Sequence, residues 1–98
     1  MTIQIRDIPS SENELLKARS EGEQLGDAML NVSWDWDYCE KLQELFWNNP
    51  LHPNLLEALE SDIKRDFSKQ NIPFHRDTVV VYIENYLKAF EKVVGYVR

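Results

Sequence analysis

The sequence predicts an all-α protein, a compact four-helix antiparallel arrangement with a short extended N-terminal arm. Three observations lead there. Apolar residues return at steps of three and four along four separate stretches, the spacing that gathers them on one face of a helix. Glycine (three) and proline (four) are scarce, whereas β folds of many short strands use both freely in their turns. The breaks between the periodic stretches are short, which favours antiparallel neighbours. With 98 residues the chain fits a single helical domain, 1–98, with the arm over 1–9 and helices over 12–31, 35–48, 53–69 and 77–95.

The arm, "TIQIRDIP", alternates apolar and polar residues around Ile3 and Ile5, as an extended segment does. Its backbone groups need partners, and with no clear second strand it is expected to lie on the body or to pair with the C-terminal "GYVR". The first helix opens on a capping box, Ser11 three residues ahead of Glu14. Leu15, Ala18, Gly22, Leu25, Met29 and Val32 form its apolar face. Ala18 and Gly22 are small enough to admit a close neighbouring helix, and each of Gly22 and Gly26 costs about 1 kcal/mol in helix propensity, which invites a kink there.

The second helix starts in "VSWDWDYCEKL", with Ser33 or Asp35 as N-cap and Asp37 and Glu40 near the positive end of the helix dipole. Tyr38, Leu42 and Phe46 are expected to fill the core, and Asn48-Asn49-Pro50 ends the helix. Pro53 suits the first position of the third helix, whose stripe is Leu55, Leu56, Leu59, Ile63 and Phe67. The fourth helix is capped by Asp77 or Thr78 and follows Val79, Ile83, Tyr86, Phe90, Val93 and Val97. Its first turns, Thr78–Ile83, have strand composition, but the helical phase continues unbroken through "ENYLKAFEKV".

One cysteine, Cys39, permits no disulfide within the chain, so the fold needs no oxidising compartment. The N-terminus has no secretory pattern and the longest apolar run is Val79–Ile83, so a cytoplasmic protein without membrane contact is expected. The formal net charge is −6. Residues 1–49 carry ten acidic and four basic side chains, whereas residues 50–98 carry seven of each. The imbalance therefore lies wholly in the first half. Such a surface repels nucleic-acid phosphate and attracts a basic partner.

Catalysis is not expected. Cys39 lies on an amphipathic stretch, where a buried inert thiol is the common case. His52 and His75 stand beside helix starts, where a turn or capping role accounts for them. One cysteine and two distant histidines lack the close ligand pairs of a zinc site, and Asp35 and Asp37 lack the further oxygen ligands and glycine turn of a calcium loop. No phosphate-cradling glycine loop or nucleophile elbow occurs, and no cofactor is implied. A helix-turn-helix around "KQNIPFHR" would have a turn longer than usual and would present Asp77 and three valines to DNA instead of Arg, Asn or Gln.

The remaining feature is the alternation of rings and carboxylates in residues 34–38. Trp36 points towards the flank that carries Glu40, Gln43 and Trp47, so Trp36 and Trp47 are left over beside carboxylates. Either the small core consumes every ring, or some remain outside as anchors within an acidic surround. The second case makes Trp34, Asp35, Trp36, Asp37, Glu40, Glu44 and Trp47 a partner-binding surface. Its function would be that of a small acidic inhibitor, of the immunity-protein, antitoxin or phage-inhibitor type, which occludes a basic, nucleic-acid-handling site on another protein. That analogy rests on size, charge and aromatic–acid placement, with no motif match. The alternatives are a structural or assembly subunit, including a helical homodimer seamed through the fourth helix, and a helix-turn-helix DNA-binding protein.

Overall fold

In a computed structural model of the protein, four α-helices follow one another: α1 (Glu12–Val32), α2 (Trp36–Asn48), α3 (Pro53–Gln70) and α4 (Arg76–Val97). The structure describes residues 3–32 and 36–97, with side chains over 3–29 and 37–89. Together the helices make an all-α bundle with a Cα radius of gyration of 12.9 Å.

Each helix starts and stops for a local reason. At α1 the Ser11 N–H donates to Glu14 Oε1 at 2.7 Å, and the Glu14 N–H donates to Ser11 Oγ at 3.2 Å. These two bonds satisfy backbone donors that the first turn leaves without partners. The Ser11 N–H, with the Ser11 hydroxyl beside it, also holds the Glu14 carboxyl below its ordinary value. After α2, Asn49 forms a side-chain turn: its Oδ1 accepts from the Leu51 N–H at 3.1 Å, and its carbonyl accepts from the His52 N–H at 2.9 Å. His52 then caps α3, Nδ1 accepting from the Asn54 N–H at 3.1 Å, with Pro53 in the first helical position. Asn71 closes α3 in the left-handed conformation (φ 55°, ψ 43°), which asparagine tolerates better than most residues. Its N–H turns back to the Phe67 and Ser68 carbonyls, and the Ile72 N–H reaches Phe67 O at 2.8 Å.

α4 opens one residue before the expected caps. Asp77 and Thr78 both lie inside its first turn, and the His75 carbonyl accepts the first helical bond, from the Val79 N–H at 3.1 Å. The buried Thr78 hydroxyl accepts from the His75 N–H at 3.1 Å and reaches back to Pro73 O at 2.7 Å. The valine-rich start is helical despite its strand composition, because Val79, Tyr82, Ile83 and Tyr86 are all buried along one helical face. Tertiary burial outweighs the small propensity cost of β-branched residues.

Among the described residues the arm does not pair with the C-terminal stretch, whose residues 95–97 form the last turn of α4. It pairs instead with the connector between α3 and α4, in one parallel bridge at Arg6 and His75. The Arg6 N–H donates to Phe74 O and the Arg76 N–H donates to Arg6 O, both at 2.9 Å. Ser10 follows, sharing a hydrogen bond with His75 Nδ1 at 3.3 Å and donating its N–H to Asp77 Oδ2 at 3.5 Å. The starts of α1 and α4 are thereby tied together at one end.

From that end α1 and α4 run side by side in the same direction. Gly22 meets the Tyr82 backbone, and one turn further along both helices Gly26 meets Tyr86 and Ala89. A β-carbon on Gly22 would strike the Tyr82 carbonyl oxygen, and one on Gly26 would stand 2.7 Å from the Tyr86 carbonyl oxygen. The glycines do not break α1, which is continuous from Glu12 to Val32. They let a second backbone approach. α3 reverses into α4 through residues 71–75 and fills the space beneath with Leu55, Leu59, Ile63 and Phe67, all essentially inaccessible. Each such side chain contributes about 1.5–3 kcal/mol of burial.

One polar network crosses this core. The Tyr82 hydroxyl donates to Asp66 Oδ2 at 2.6 Å, and Arg65 Nε holds the other carboxylate oxygen at 3.0 Å. Phe67 packs around it, stacked on Phe74 (5.4 Å between centroids) and edge-on to Tyr82 (5.2 Å). Burial, with the Asp66 carboxylate beside it, pushes the Tyr82 phenol far above its ordinary value of 10.0, and burial pushes Tyr86 up as well.

Two outcomes follow from this packing. Gly22→Ala should improve local helix propensity yet lower stability by about 1–3 kcal/mol, because α4 must be displaced; a urea midpoint equal to or above that of the wild type would contradict the close approach. Tyrosines in the unfolded chain ionise near pH 10, while Tyr82 and Tyr86 keep their protons in the fold. Their contribution is therefore complete below about pH 10 and is lost as pH rises beyond it. An ultraviolet absorbance titration should show these two phenols ionising only as helicity is lost, and Tyr82→Phe should make the alkaline fall in stability shallower.

Candidate functional site

α2 is the shortest helix. Cys39 and Leu42 are its buried side chains among those described, with Leu45 and Phe46 half-buried beside them. Its opposite face carries Asp37, Glu40, Glu44 and Trp47 at relative positions 0, 3, 7 and 10, which fall within about 80° of one another around the helix. All four are exposed. Trp47 is 78 % accessible, the most exposed large apolar residue described. It stands about 140° around the helix from Leu42, which explains why burying Leu42 leaves the indole outside. Two turns of carboxylates thus lead to a ring at the end of the helix.

Beside that ring α2 meets α4 in a notch of about 150 Å³, formed by Gln43, Phe46 and Trp47 from one side and Glu84, Leu87 and Lys88 from the other. Glu84 and Lys88 form an i,i+4 ion pair at 3.2 Å on the rim. Glu84 adds a further carboxylate to the surroundings of Trp47, and sequence reasoning did not include it. Its only sequence signal is that it shares an outward face with Lys88; nothing local says that α2 lies alongside.

Of the seven residues expected in the surface, Asp37, Glu40, Glu44 and Trp47 are brought together on one face. Trp34 and Asp35 lie outside the described residues, and Trp36 begins α2 with its side chain outside them. Tyr38 departs from expectation. It is 40 % exposed instead of filling the core, on the opposite flank, where it lines a cavity of about 300 Å³ with Leu42, Leu45, Asn54 and Ala58. Partial burial, then the charge of Asp62, raises its phenol above the ordinary value.

The reactive side chains are dispersed. Cys39 is buried in α2, His52 caps α3, and His75 joins the arm to the connector. Among the described residues no group of three or more His, Cys, Asp or Glu gathers as a metal site would require, and no helix is long and apolar enough to cross a membrane. Compared with known proteins, the chain matches no family model, no curated protein and no solved structure.

The geometry of α2 separates two kinds of substitution. Trp47→Ala should leave stability within about 0.5 kcal/mol of wild type, as exposed sites do. Leu42→Ala, five residues earlier in the same helix, should cost about 2–5 kcal/mol. Urea unfolding of both variants measures the contrast, and a large loss for Trp47→Ala would mean that the ring is structural.

Proposed function

We propose that this is a small acidic protein-binding module that inhibits a nucleic-acid-handling partner by covering its basic site, in the manner of an immunity protein, antitoxin or phage inhibitor, and that it does so in the cytoplasm. The observation that carries this reading is Trp47, 78 % exposed at the end of the acidic face of α2. Exposing an indole forgoes burial free energy that a domain this small needs. At an interface the same ring recovers it, since a buried tryptophan anchor is commonly worth about 2–4 kcal/mol. Asp37, Glu40 and Glu44 steer a cationic surface into register and repel an anionic one. Trp34, Asp35 and Trp36 belong to the proposed surface by their place in the sequence, immediately before and at the start of α2. The mechanism is occlusion, with no bond made or broken.

Two features favour this reading over its alternatives. Among the described side chains of α4, Val79, Tyr82, Ile83 and Tyr86 are all buried, which leaves little of residues 79–86 for an intermolecular seam; the side chains of Phe90, Val93 and Val97 lie outside the described residues. The first turn of α4 is tied to the arm through Ser10, and Thr78 and Val79 are fully buried, an unfavourable setting for a helix that must enter a DNA groove.

A protein retained from host lysate by the wild type should be lost by a Glu40→Lys, Glu44→Lys variant and weakened at least tenfold by Trp47→Ala, a loss on the scale of one anchor residue. Both variants should keep wild-type helicity and melting temperature. The captured protein should bind nucleic acid, and added wild-type module should displace that nucleic acid in a competition assay. Capture that survives the charge reversal, or a captured protein whose nucleic-acid binding is untouched, would refute the proposal.

A further inference from the structure

A second surface, at the end of the molecule where the arm meets the connector, has the opposite chemistry. Below the single bridge at Arg6 and His75 the arm parts from the connector, leaving a cleft of about 500 Å³, within the range of small-molecule sites. Its apolar walls come from Ile3, Pro73 and Phe74, and its polar side chains include Arg6, Lys64 and His75. Acidic residues outnumber basic ones seventeen to eleven in this chain, yet among the described residues no carboxylate lines the cleft.

The walls are firmly held. Phe74 is stacked on the buried Phe67 ring, 5.4 Å between centroids with planes 10° apart, and Pro73 carries the carbonyl that receives the Thr78 hydroxyl. The cations differ in their commitments. Lys64 is paired with Glu60 at 2.8 Å, and His75 Nδ1 is engaged with Ser10 Oγ. Arg6 is anchored through its backbone at 2.9 Å on both sides, while its exposed guanidinium makes no ion pair or hydrogen bond among the described residues. An arginine whose fork of N–H donors cannot lose its charge is thus rooted by its backbone in the lining of an apolar cleft.

We infer that this cleft is a binding site for a small aromatic organic anion, its flat body lying against Pro73 and Phe74 and its carboxylate or sulfonate paired with Arg6, with Lys64 as a second cation. A proline ring and a rigidly stacked phenyl ring suit a planar apolar body, and the guanidinium suits a two-oxygen anion. The site stands apart from the α2 surface and does not depend on it.

The test uses two fluorescent probes that share one aromatic body: anilinonaphthalene sulfonate, and phenylnaphthylamine, which lacks the sulfonate. The intact protein should bind the sulfonate saturably, about tenfold or more tighter than the neutral body, as one charge-assisted contact would provide. Chemical-shift changes on titration should centre on the amides of Gln4, Arg6, Phe74 and His75. Arg6→Gln, which keeps the backbone bridge, should erase most of the preference for the anion; Lys64→Gln should reduce it less, and Trp47→Ala should leave it unchanged. Equal affinity for the two probes, shifts centred elsewhere, or an anion preference that survives Arg6→Gln would overturn the assignment. The comparison of probes on the wild type decides the matter even if a variant folds poorly.

Discussion

The fold depends on a close approach of two backbones. Where α1 passes α4, Gly22 and Gly26 remove the side chains that would otherwise hold the helices a normal distance apart. Two glycines cost helix propensity, and that cost is accepted because α4 then lies against α1 with Ala18 sealed between them. Everything on the far side of α4 inherits its position from this contact. Tyr82 reaches Asp66 because its helix is held there, and the Asp66 carboxylate is tolerated in the interior because Tyr82 and Arg65 occupy its two oxygens. The arm reinforces the same register from the end, since one bridge at Arg6 and His75 brings the two helix starts level.

That arrangement also determines what α2 is free to do. The core draws most of its buried side chains from α3 and α4, and α2 joins it through Cys39 and Leu42. A helix needed mainly as a cover can devote its outer face to other ends. The acidic row and Trp47 lie there, and the ring remains outside because no further element packs over the last turn of α2 among the described residues. The protein consequently has two chemically distinct surfaces: an acidic, indole-bearing face on α2, and an aromatic-walled cleft with cations at the junction of arm and connector.

Much of this was legible in the sequence because it is local. The Ser11–Glu14 capping box, Pro53 at the start of α3 and the three-four spacing of the apolar residues each act within a turn or two of chain, so a linear reading finds them. The small faces of Ala18 and Gly22 even announced a close neighbour. What a linear reading lacks is the identity of the neighbour. Periodicity names the buried side of a helix but not the element that buries it, so the partner of the arm, the shared direction of α1 and α4, and the place of Glu84 beside Trp47 could not be read. Tyr38 shows the same limit from another side: it lies on the apolar face of α2, yet it falls on the flank facing Asn54 and Ala58, where cover is incomplete. The tryptophans had a legible surplus of ring area, but only the rotation of Leu42 into the core decides that Trp47 lies outside.

The pairing of α1 and its arm with α4 and the connector before it has a consequence for how the molecule is made. During synthesis α1 emerges before α4, and the surface that must receive α4 stays bare until that helix has left the ribosome. Neither the bridge at Arg6 nor the groove at Gly22 has a mate before then. Contacts so distant along the chain form slowly compared with those between neighbouring helices. The earlier helices therefore leave the ribosome without the fold's defining contact, and closure waits until α4 has followed them.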